Sequence, residues 1–189
     1  MVAHKFNAKQ IEKLNDPVRL QWIPPEAVWK KLDVKDPAVV VDIGAGTGLF
    51  CIQFLQFIRN GKIHAFDIAE EMIQWMKDHE VGRYPEICPE IMRDGRVPMD
   101  DGRADVVFMM TLHHELENPE KMMAEAFRIM KEKGKICIID WKKEDMDDGP
   151  PTAIRCKPED IAVQLETAGF KQIVVDNSLS RHFLVIAEK

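Results

Sequence analysis

Apolar runs alternate with amphipathic stretches along the chain, and this pattern predicts its strands and helices. Four runs are short and too apolar for strands that face solvent, and they cover residues 39–43, 63–67, 104–110 and 136–141. Weaker runs that predict further strands lie at residues 90–93, 173–176 and 182–187. Stretches with helical spacing lie at residues 26–32, 69–79, 118–133 and 157–168. Strands that alternate with helices predict an α/β fold built on an open parallel sheet.

The most informative stretch is the turn that follows the first apolar run. It breaks the strand and leads at once into a helix, and its residues are Gly44, Ala45, Gly46, Thr47 and Gly48. A glycine-rich turn at this point lets a ligand approach the backbone without interference from Cβ atoms, at the carboxyl edge of the sheet. Asp42, just before the first glycine, suits a ligand that carries a positive amine better than one that carries a pyrophosphate.

A second acidic residue, Asp67, ends the next predicted strand. It lies about 20 residues beyond the glycine turn, the spacing at which an acidic residue meets ribose hydroxyls in nucleotide-binding sheets. Taken alone, Asp67 could also be the N-cap of the helix at residues 69–79. Together with Asp42 and the turn, it favours ribose binding.

Composition limits the class of protein. The chain has 189 residues, which predicts one domain with one sizeable core. Its net charge of −6 argues against a general nucleic-acid binder, which needs a basic face. The four cysteines form no C-x-x-C pair, and no run reaches membrane-spanning length. We therefore expect a cytoplasmic protein without a disulfide framework, a metal site, or a nucleic-acid or membrane partner.

Two adjacent histidines, His113 and His114, follow the strand at residues 104–110. The hypothesis of a metal site has little support, because adjacent residues on an extended segment point apart and no third ligand lies at suitable spacing. Histidine is the side chain best suited to remove a proton near neutral pH, so either one is a candidate catalytic base. Trp141 ends a later strand at the same edge, and the acidic loop that follows it predicts a mobile flap.

The segment before the first strand, residues 1–37, is dense in turn residues and predicts short helices. Two interpretations of its Arg19 and Trp22 stay open: they form a surface salt bridge and pack at the edge of the sheet, or they belong to a segment that folds back over a pocket.

The order of these features resembles class I S-adenosylmethionine-dependent methyltransferases, and most closely the UbiE/COQ5-like, Methyltransferase-11 type. The resemblance rests on the sequence DIGAGTG, on Asp67, on Asp94-Gly95 before DGRADVV, and on the terminal pair of strands. It implies a Rossmann-like doubly wound sheet, mostly parallel, with a reversed C-terminal edge strand. It further implies an N-terminal helical cap at residues 1–37 and a cofactor-binding domain at residues 38–189, together one globular unit.

The resemblance also implies a cofactor, S-adenosyl-L-methionine, and roles for individual residues. Asp42 and the glycine turn would hold the methionine moiety, and Asp67 the ribose. The adenine would be bordered by Ile68, Met72, Asp94 and Gly95, and Thr111 would be a further cofactor-binding residue. The acceptor, a small molecule, would be methylated by in-line displacement in a pocket shaped by Arg19, Trp22 and Trp141, with His113 or His114 as the base. An acceptor that arrives already ionised, or as a free amine, would need no base.

Two other functions remain open. A nicotinamide-dependent oxidoreductase would also use the glycine turn and Asp67. However, this sequence lacks the G-x-G-x-x-G pattern of such enzymes, and that function gives no role to Asp42. A non-catalytic S-adenosylmethionine-binding protein would keep every motif and act through partners. The sequence also leaves open whether the chain forms a homodimer.

Overall fold

A computed structural model describes residues 8–189, in which helices cover both faces of a sheet. The strands are β1 (Val39–Ile43), β2 (Lys62–Asp67), β3 (Ile87–Ile91), β4 (Ala104–Met110), β5 (Met130–Trp141), β6 (Lys171–Asp176) and β7 (His182–Glu188). The helices are α1 (Ala8–Leu14), α2 (Val18–Trp22), α3 (Pro25–Leu32), α4 (Leu49–Leu55), α5 (Glu70–His79), α6 (Pro119–Ile129) and α7 (Pro158–Ala168). None of these helices is long and apolar enough to cross a membrane.

The strand order places the first strand near the middle of the sheet. The seven strands run β3-β2-β1-β4-β5-β7-β6, and the first five in this order pair in parallel. Strand β7 is antiparallel to both β5 and β6. The predicted fold class is confirmed: the sheet is mostly parallel, with a reversed strand, β7, that lies between β5 and β6 on the C-terminal side.

Each face of the sheet has its own apolar core, because residues of the buried strands alternate between the two faces. Val41, Ile43 and Met109 pack with α6 and α7 on one face. Val40 and Phe108 pack with α3, α4 and α5 on the other. Strands buried on both faces explain the near-continuous apolar runs in the sequence.

The boundary between α6 and β5 differs from the prediction. A helix was expected through residue 133, but α6 ends at Ile129 and β5 begins at Met130. Residues 130–133 have the composition of a helix, yet Met130 pairs with Ala104 of β4, and this ladder contact takes precedence over local propensity. The predicted strand at residues 90–93 is likewise shifted, since β3 ends at Ile91.

The topology brings several chain segments to one edge of the sheet. The carboxyl ends of parallel strands lie together, and a reversed strand begins where its parallel neighbour ends. Thus the ends of β1, β2, β4 and β5 lie beside the start of β7, with His182 paired to Trp141. Open α/β sheets bind ligands at this edge.

Candidate active site

Backbone hydrogen bonds tie the glycine turn to the end of β2. The N–H groups of Gly44 and Ala45 donate to the Phe66 carbonyl at 2.7 and 3.0 Å. The Gly46 N–H donates to Asp67 Oδ2 at 2.8 Å, and the Ala69 N–H donates to Asp67 Oδ1 at 2.9 Å. Asp67 thus braces both the turn and the start of α5, and each of its oxygens keeps a further lone pair.

Asp42 is a buried carboxylate with an incomplete set of partners. It is 2% exposed, and its Oδ2 accepts from the Cys51 thiol at 3.2 Å. Its Oδ1 is buried and has no hydrogen-bond partner within residues 8–189. Burial, reinforced by the nearby Asp67 carboxylate, raises the pKa of Asp42 to about 7, against the lowering effects of Cys51 and Arg19. A positively charged group placed at Oδ1 would satisfy this oxygen.

The segment between α1 and α2 lies directly over the glycine turn. The Thr47 hydroxyl donates to Asn15 Oδ1 at 2.7 Å, and a Cβ on Gly46 would come within 3.5 Å of the Leu14 side chain. Arg19 donates to the Leu14 carbonyl at 2.7 Å and to the Thr111 hydroxyl at 3.0 Å. The N-terminal helices therefore cover the ligand edge, and Arg19 joins them to the end of β4.

Of the remaining residues expected near the adenosine, two lie beside Asp67 and two lie farther along the chain. Ile68 is 74% exposed directly after Asp67, whereas Met72 is 1% exposed and lies beneath the surface. Asp94 and Gly95 both have positive φ and form a tight turn closed by the Arg96 N–H to the Arg93 carbonyl. The backbone carbonyl of Asp94 accepts a hydrogen bond from Lys121 Nζ at 2.6 Å.

The two adjacent histidines point apart, as expected, but they lie in a short 3₁₀ helix, His113–Glu115, and not in an extended segment. His113 Nε2 lies 2.7 Å from Gln164 Oε1, its Nδ1 lies 3.3 Å from Cys156 Sγ, and burial lowers its pKa. His114 Nδ1 donates to Asp140 Oδ1 at 2.8 Å. Burial alone lowers the pKa of His114, but hydrogen bonds to Asp140 and Glu115 outweigh it and raise the pKa to about 9.

An aromatic cluster of Trp22, Trp141 and His182 lies beside these groups. The ring centroids of Trp141 and His182 are 4.2 Å apart, and those of Trp22 and Trp141 are 5.8 Å apart. The Arg181 guanidinium lies 4.6 Å from the Trp22 ring, and the Arg155 guanidinium lies 5.8 Å from the Trp141 ring. The structure thus brings Trp22 and Trp141 together around His182, and Arg19 lies near enough to His182 to help lower the pKa of that histidine.

The loop expected to be a flap is held by a buried guanidinium. Arg155 is 3% exposed and donates to four carbonyls of this loop, those of Lys142, Glu144, Asp148 and Pro150. Gly149 has a φ of 91°, and a Cβ there would lie 2.7 Å from the Trp141 ring. The loop is therefore packed onto Trp141 and anchored at both ends.

Sequence reasoning did not assign a role to His182, Asp140 or Asn15. His182 is the first residue of a reversed strand, and a reversed strand starts at the ligand edge, so this position carries a usable signal. Asn15 has no comparable signal, because its contact with Thr47 depends on how α1 folds back. Within residues 8–189 no group of three or more His, Cys, Asp or Glu side chains is placed to hold a metal ion.

Comparison with known protein families gives one match. The family described as methyltransferase domain, Methyltransf_11, matches residues 41–138. This range starts just before Asp42 and ends within β5, so it covers the glycine turn and the strands that carry the ligand edge.

Individual relatives agree with that match. A solved S-adenosylmethionine-dependent methyltransferase from Aquifex aeolicus is 32% identical, with a TM-score of 0.89 over 97% of this chain and 98% of that one. A malonyl-[acyl-carrier protein] O-methyltransferase of Geobacter sulfurreducens is 27% identical over 99 residues, 52% of this chain but 37% of that enzyme. Human N-acetylserotonin methyltransferase, solved with S-adenosylmethionine, shares the fold at 18% identity, with a TM-score of 0.73 over 91% of this chain and 53% of that one.

Proposed function

The chain belongs to the methyltransferase domain family, and on that premise we propose that it transfers a methyl group from S-adenosylmethionine to a small-molecule acceptor. The observation that carries this proposal is the buried Asp42 carboxylate, whose Oδ1 has no partner within residues 8–189, directly before a glycine turn. S-adenosylmethionine offers what this oxygen needs, since its amine and its sulfonium are both positively charged.

The neighbouring residues fit the rest of that cofactor. Gly44 has a φ of 74°, and a Cβ there would lie 2.7 Å from the Leu112 side chain, so any other residue at this position would be strained. Asp67 keeps free lone pairs for ribose hydroxyls, although both of its oxygens already accept a backbone N–H. Ile68, 74% exposed beside Asp67, offers an apolar surface of the kind an adenine ring covers.

Each residue then has a defined task. Asp42 and residues 44–48 hold the methionine moiety, Asp67 holds the ribose, and Ile68 with Asp94 and Gly95 borders the adenine. Thr111 directly follows β4, and its hydroxyl accepts a hydrogen bond from Arg19. When bound, S-adenosylmethionine supplies a methyl group made electrophilic by its cationic sulfur. The protein aligns the acceptor with that methyl group and excludes water.

We assign the acceptor to a site beside Arg19, Trp22 and Trp141, under the helices between residues 8 and 32. Residues 1–7 of the predicted cap lie outside the described part of the chain. The division into a cap and a cofactor-binding domain at residues 38–189 stays a prediction, as do the UbiE/COQ5-like subtype, the cytoplasmic location and a homodimer. The malonyl-[acyl-carrier protein] acceptor named for two curated relatives is not carried over, because the match spans only 37% of each.

The nicotinamide alternative has less support. Leu49 follows the last glycine, so the G-x-G-x-x-G pattern is absent, and the pyrophosphate of a dinucleotide would face the Asp42 carboxylate. Calorimetric titration with S-adenosylmethionine and with NADH distinguishes the two cofactors. We expect binding of S-adenosylmethionine alone, and tighter binding of NADH would overturn the proposal.

A non-catalytic binding protein is distinguished by product formation. S-adenosylhomocysteine should accumulate when the protein is incubated with S-adenosylmethionine and a panel of hydroxyl, carboxyl and amine acceptors. Binding of S-adenosylmethionine without any S-adenosylhomocysteine across that panel would favour the non-catalytic function.

A further inference from the structure

One histidine at the ligand edge has no assigned task and no partner. His182 is 1% exposed, and neither Nδ1 nor Nε2 has a hydrogen-bond partner within residues 8–189. A buried polar group that stays unpaired is costly, so two unpaired nitrogens on one buried ring indicate that something else binds there. His182 is the first residue of β7 and pairs with Trp141 at the end of β5, which places it on the ligand edge.

His182 packs among planar side chains. The Trp141 ring lies 4.2 Å from the imidazole, centroid to centroid, and the Trp22 ring lies 6.4 Å away. Trp22 is only half-buried and belongs to α2, within the segment that covers the edge. A shift of α2 would therefore uncover the imidazole beside Trp141, and planar compounds pack well against indole rings.

The two histidines predicted as bases already form side-chain contacts, whereas the His182 ring nitrogens have no hydrogen-bond partner within residues 8–189. Both ring nitrogens of His113 have partners, Gln164 and Cys156. His114 is bound to Asp140, and its pKa of about 9 keeps it protonated at neutral pH, so it cannot accept a proton. His182 has an imidazole nitrogen available to accept a hydrogen bond.

Four charged groups from different parts of the chain lie near His182. They are Asp140 on β5, Arg19 on α2, Arg155 in the loop before α7 and Arg181 in the loop before β7. Burial, together with the three guanidinium groups, lowers the pKa of His182 to about 4 despite Asp140, so the ring is neutral above about pH 5. Three nearby cations disfavour a cationic amine as the acceptor.

The same arginines offer little to a carboxylate. Arg19 donates to a backbone carbonyl and to a hydroxyl group, Arg155 donates to four backbone carbonyls, and Arg181 pairs with Asp148. A two-pronged contact with a carboxylate would therefore have to replace existing hydrogen bonds at Arg19 and Arg155, and at Arg181 it would compete with Asp148. A neutral hydroxyl group avoids both problems, because it donates a hydrogen bond to a neutral imidazole and carries no charge into the pocket.

We propose that the acceptor is a planar compound with a phenolic or enolic hydroxyl group, bound beside Trp141, and that His182 accepts the hydrogen bond and then the proton of that hydroxyl. This inference rests on the proposed function. In the transfer, the bond from the methyl carbon to sulfur breaks as the carbon–oxygen bond forms, and the O–H proton passes to His182 and then to solvent. A weak base suffices, because the oxygen becomes strongly acidic as it gains the methyl group.

The test uses three naphthalene probes of one shape: 2-naphthol, 2-naphthoate and 2-naphthylmethylamine. Each is titrated calorimetrically into the full chain saturated with S-adenosylhomocysteine, so no turnover is involved. We expect 2-naphthol to bind at least about tenfold more tightly than either charged probe. His182→Phe, which keeps a planar ring without nitrogens, should weaken 2-naphthol about tenfold, the effect of one lost hydrogen bond.

Two further variants serve as controls. His182→Asn keeps a hydrogen-bond acceptor and should bind 2-naphthol within about threefold of the parent. His79→Gln changes an exposed histidine at the end of α5 and should change nothing. If His182→Phe does not fold, the NMR signals of the His182 ring nitrogens in the parent should shift when 2-naphthol binds.

The outcomes separate this inference from the proposed function. Absence of S-adenosylhomocysteine binding in the parent contradicts the proposed function itself. Normal S-adenosylhomocysteine binding overturns only the inference if 2-naphthol does not bind, if a charged probe binds more tightly, or if His182→Phe binds 2-naphthol as well as the parent.

Discussion

Asp42→Asn should make the protein more stable, because the parent holds a buried carboxylate for a ligand. Burial and the neighbouring Asp67 carboxylate both disfavour the ionised form of Asp42, so its pKa rises from 3.8 to about 7 on folding. A tenfold change in proton affinity corresponds to about 1.4 kcal/mol, so this rise corresponds to about 4 kcal/mol lost from the folding free energy when Asp42 is fully ionised. Asparagine has no charge and still offers an oxygen to the Cys51 thiol.

The sign of the pH dependence follows from the raised pKa. A group whose pKa is higher in the folded state favours folding most at low pH, and that contribution is lost as pH rises through the folded pKa. Between pH 5 and pH 8 the parent should therefore lose about 3 kcal/mol relative to Asp42→Asn, while all other titrating groups cancel in the comparison.

Urea unfolding of both proteins at pH 5 and pH 8 measures this difference. The matched control is Asp78→Asn, which removes an exposed carboxylate on α5 and should leave stability within about 0.5 kcal/mol at both pH values. Two results would refute the reasoning that Asp42 is a strained, ligand-directed carboxylate. One is that Asp42→Asn is no more stable than the parent at pH 8, and the other is that it is more stable by the same amount at both pH values.

Three other changes test separate parts of the site. Asp140→Asn removes the charge that holds His114 protonated, so the pKa of His114 should fall from about 9 to near or below 6.5 in an NMR titration; an unchanged pKa would contradict the pairing. Arg155→Gln leaves four loop carbonyls without their donor, so proteolysis within residues 142–150 should become faster, and an unchanged cleavage rate would show that the loop holds itself. Gly44→Ala forces a Cβ to 2.7 Å from Leu112 at a positive φ and should lower the free energy of unfolding by at least about 1 kcal/mol, whereas an equal stability in urea would show that the turn tolerates side chains.

The sequence predicted well the elements whose burial is dictated locally. Strand β4 matches its predicted range, and the helix at α7 differs by one residue, because a run buried on both faces and a helix between Pro158 and Gly169 each carry clear boundaries. The predicted end of α6 was wrong, because Met130 pairs with Ala104 of β4 and no local sequence pattern indicates this pairing.

The site shows the same division. Asp42, the glycine turn and Asp67 adjoin one another in the chain or in neighbouring strands, so motif spacing predicted their proximity. The partners of His113 and His114 come from α7 and β5, and these long-range contacts have no signature in the sequence. The role that we assign to His182 depends on its packing against Trp141 and Trp22, and these contacts are known only once the sheet and α2 are assembled.

The central claim is that Asp42 and Asp67 hold S-adenosylmethionine, and calorimetric titration of the parent, Asp42→Asn and Asp67→Ala tests it most directly. The account predicts that the parent binds S-adenosylmethionine and not NADH, that each variant binds it at least about tenfold more weakly, and that Asp78→Asn binds it like the parent. Parent-like affinity for S-adenosylmethionine in both Asp42→Asn and Asp67→Ala would contradict the account.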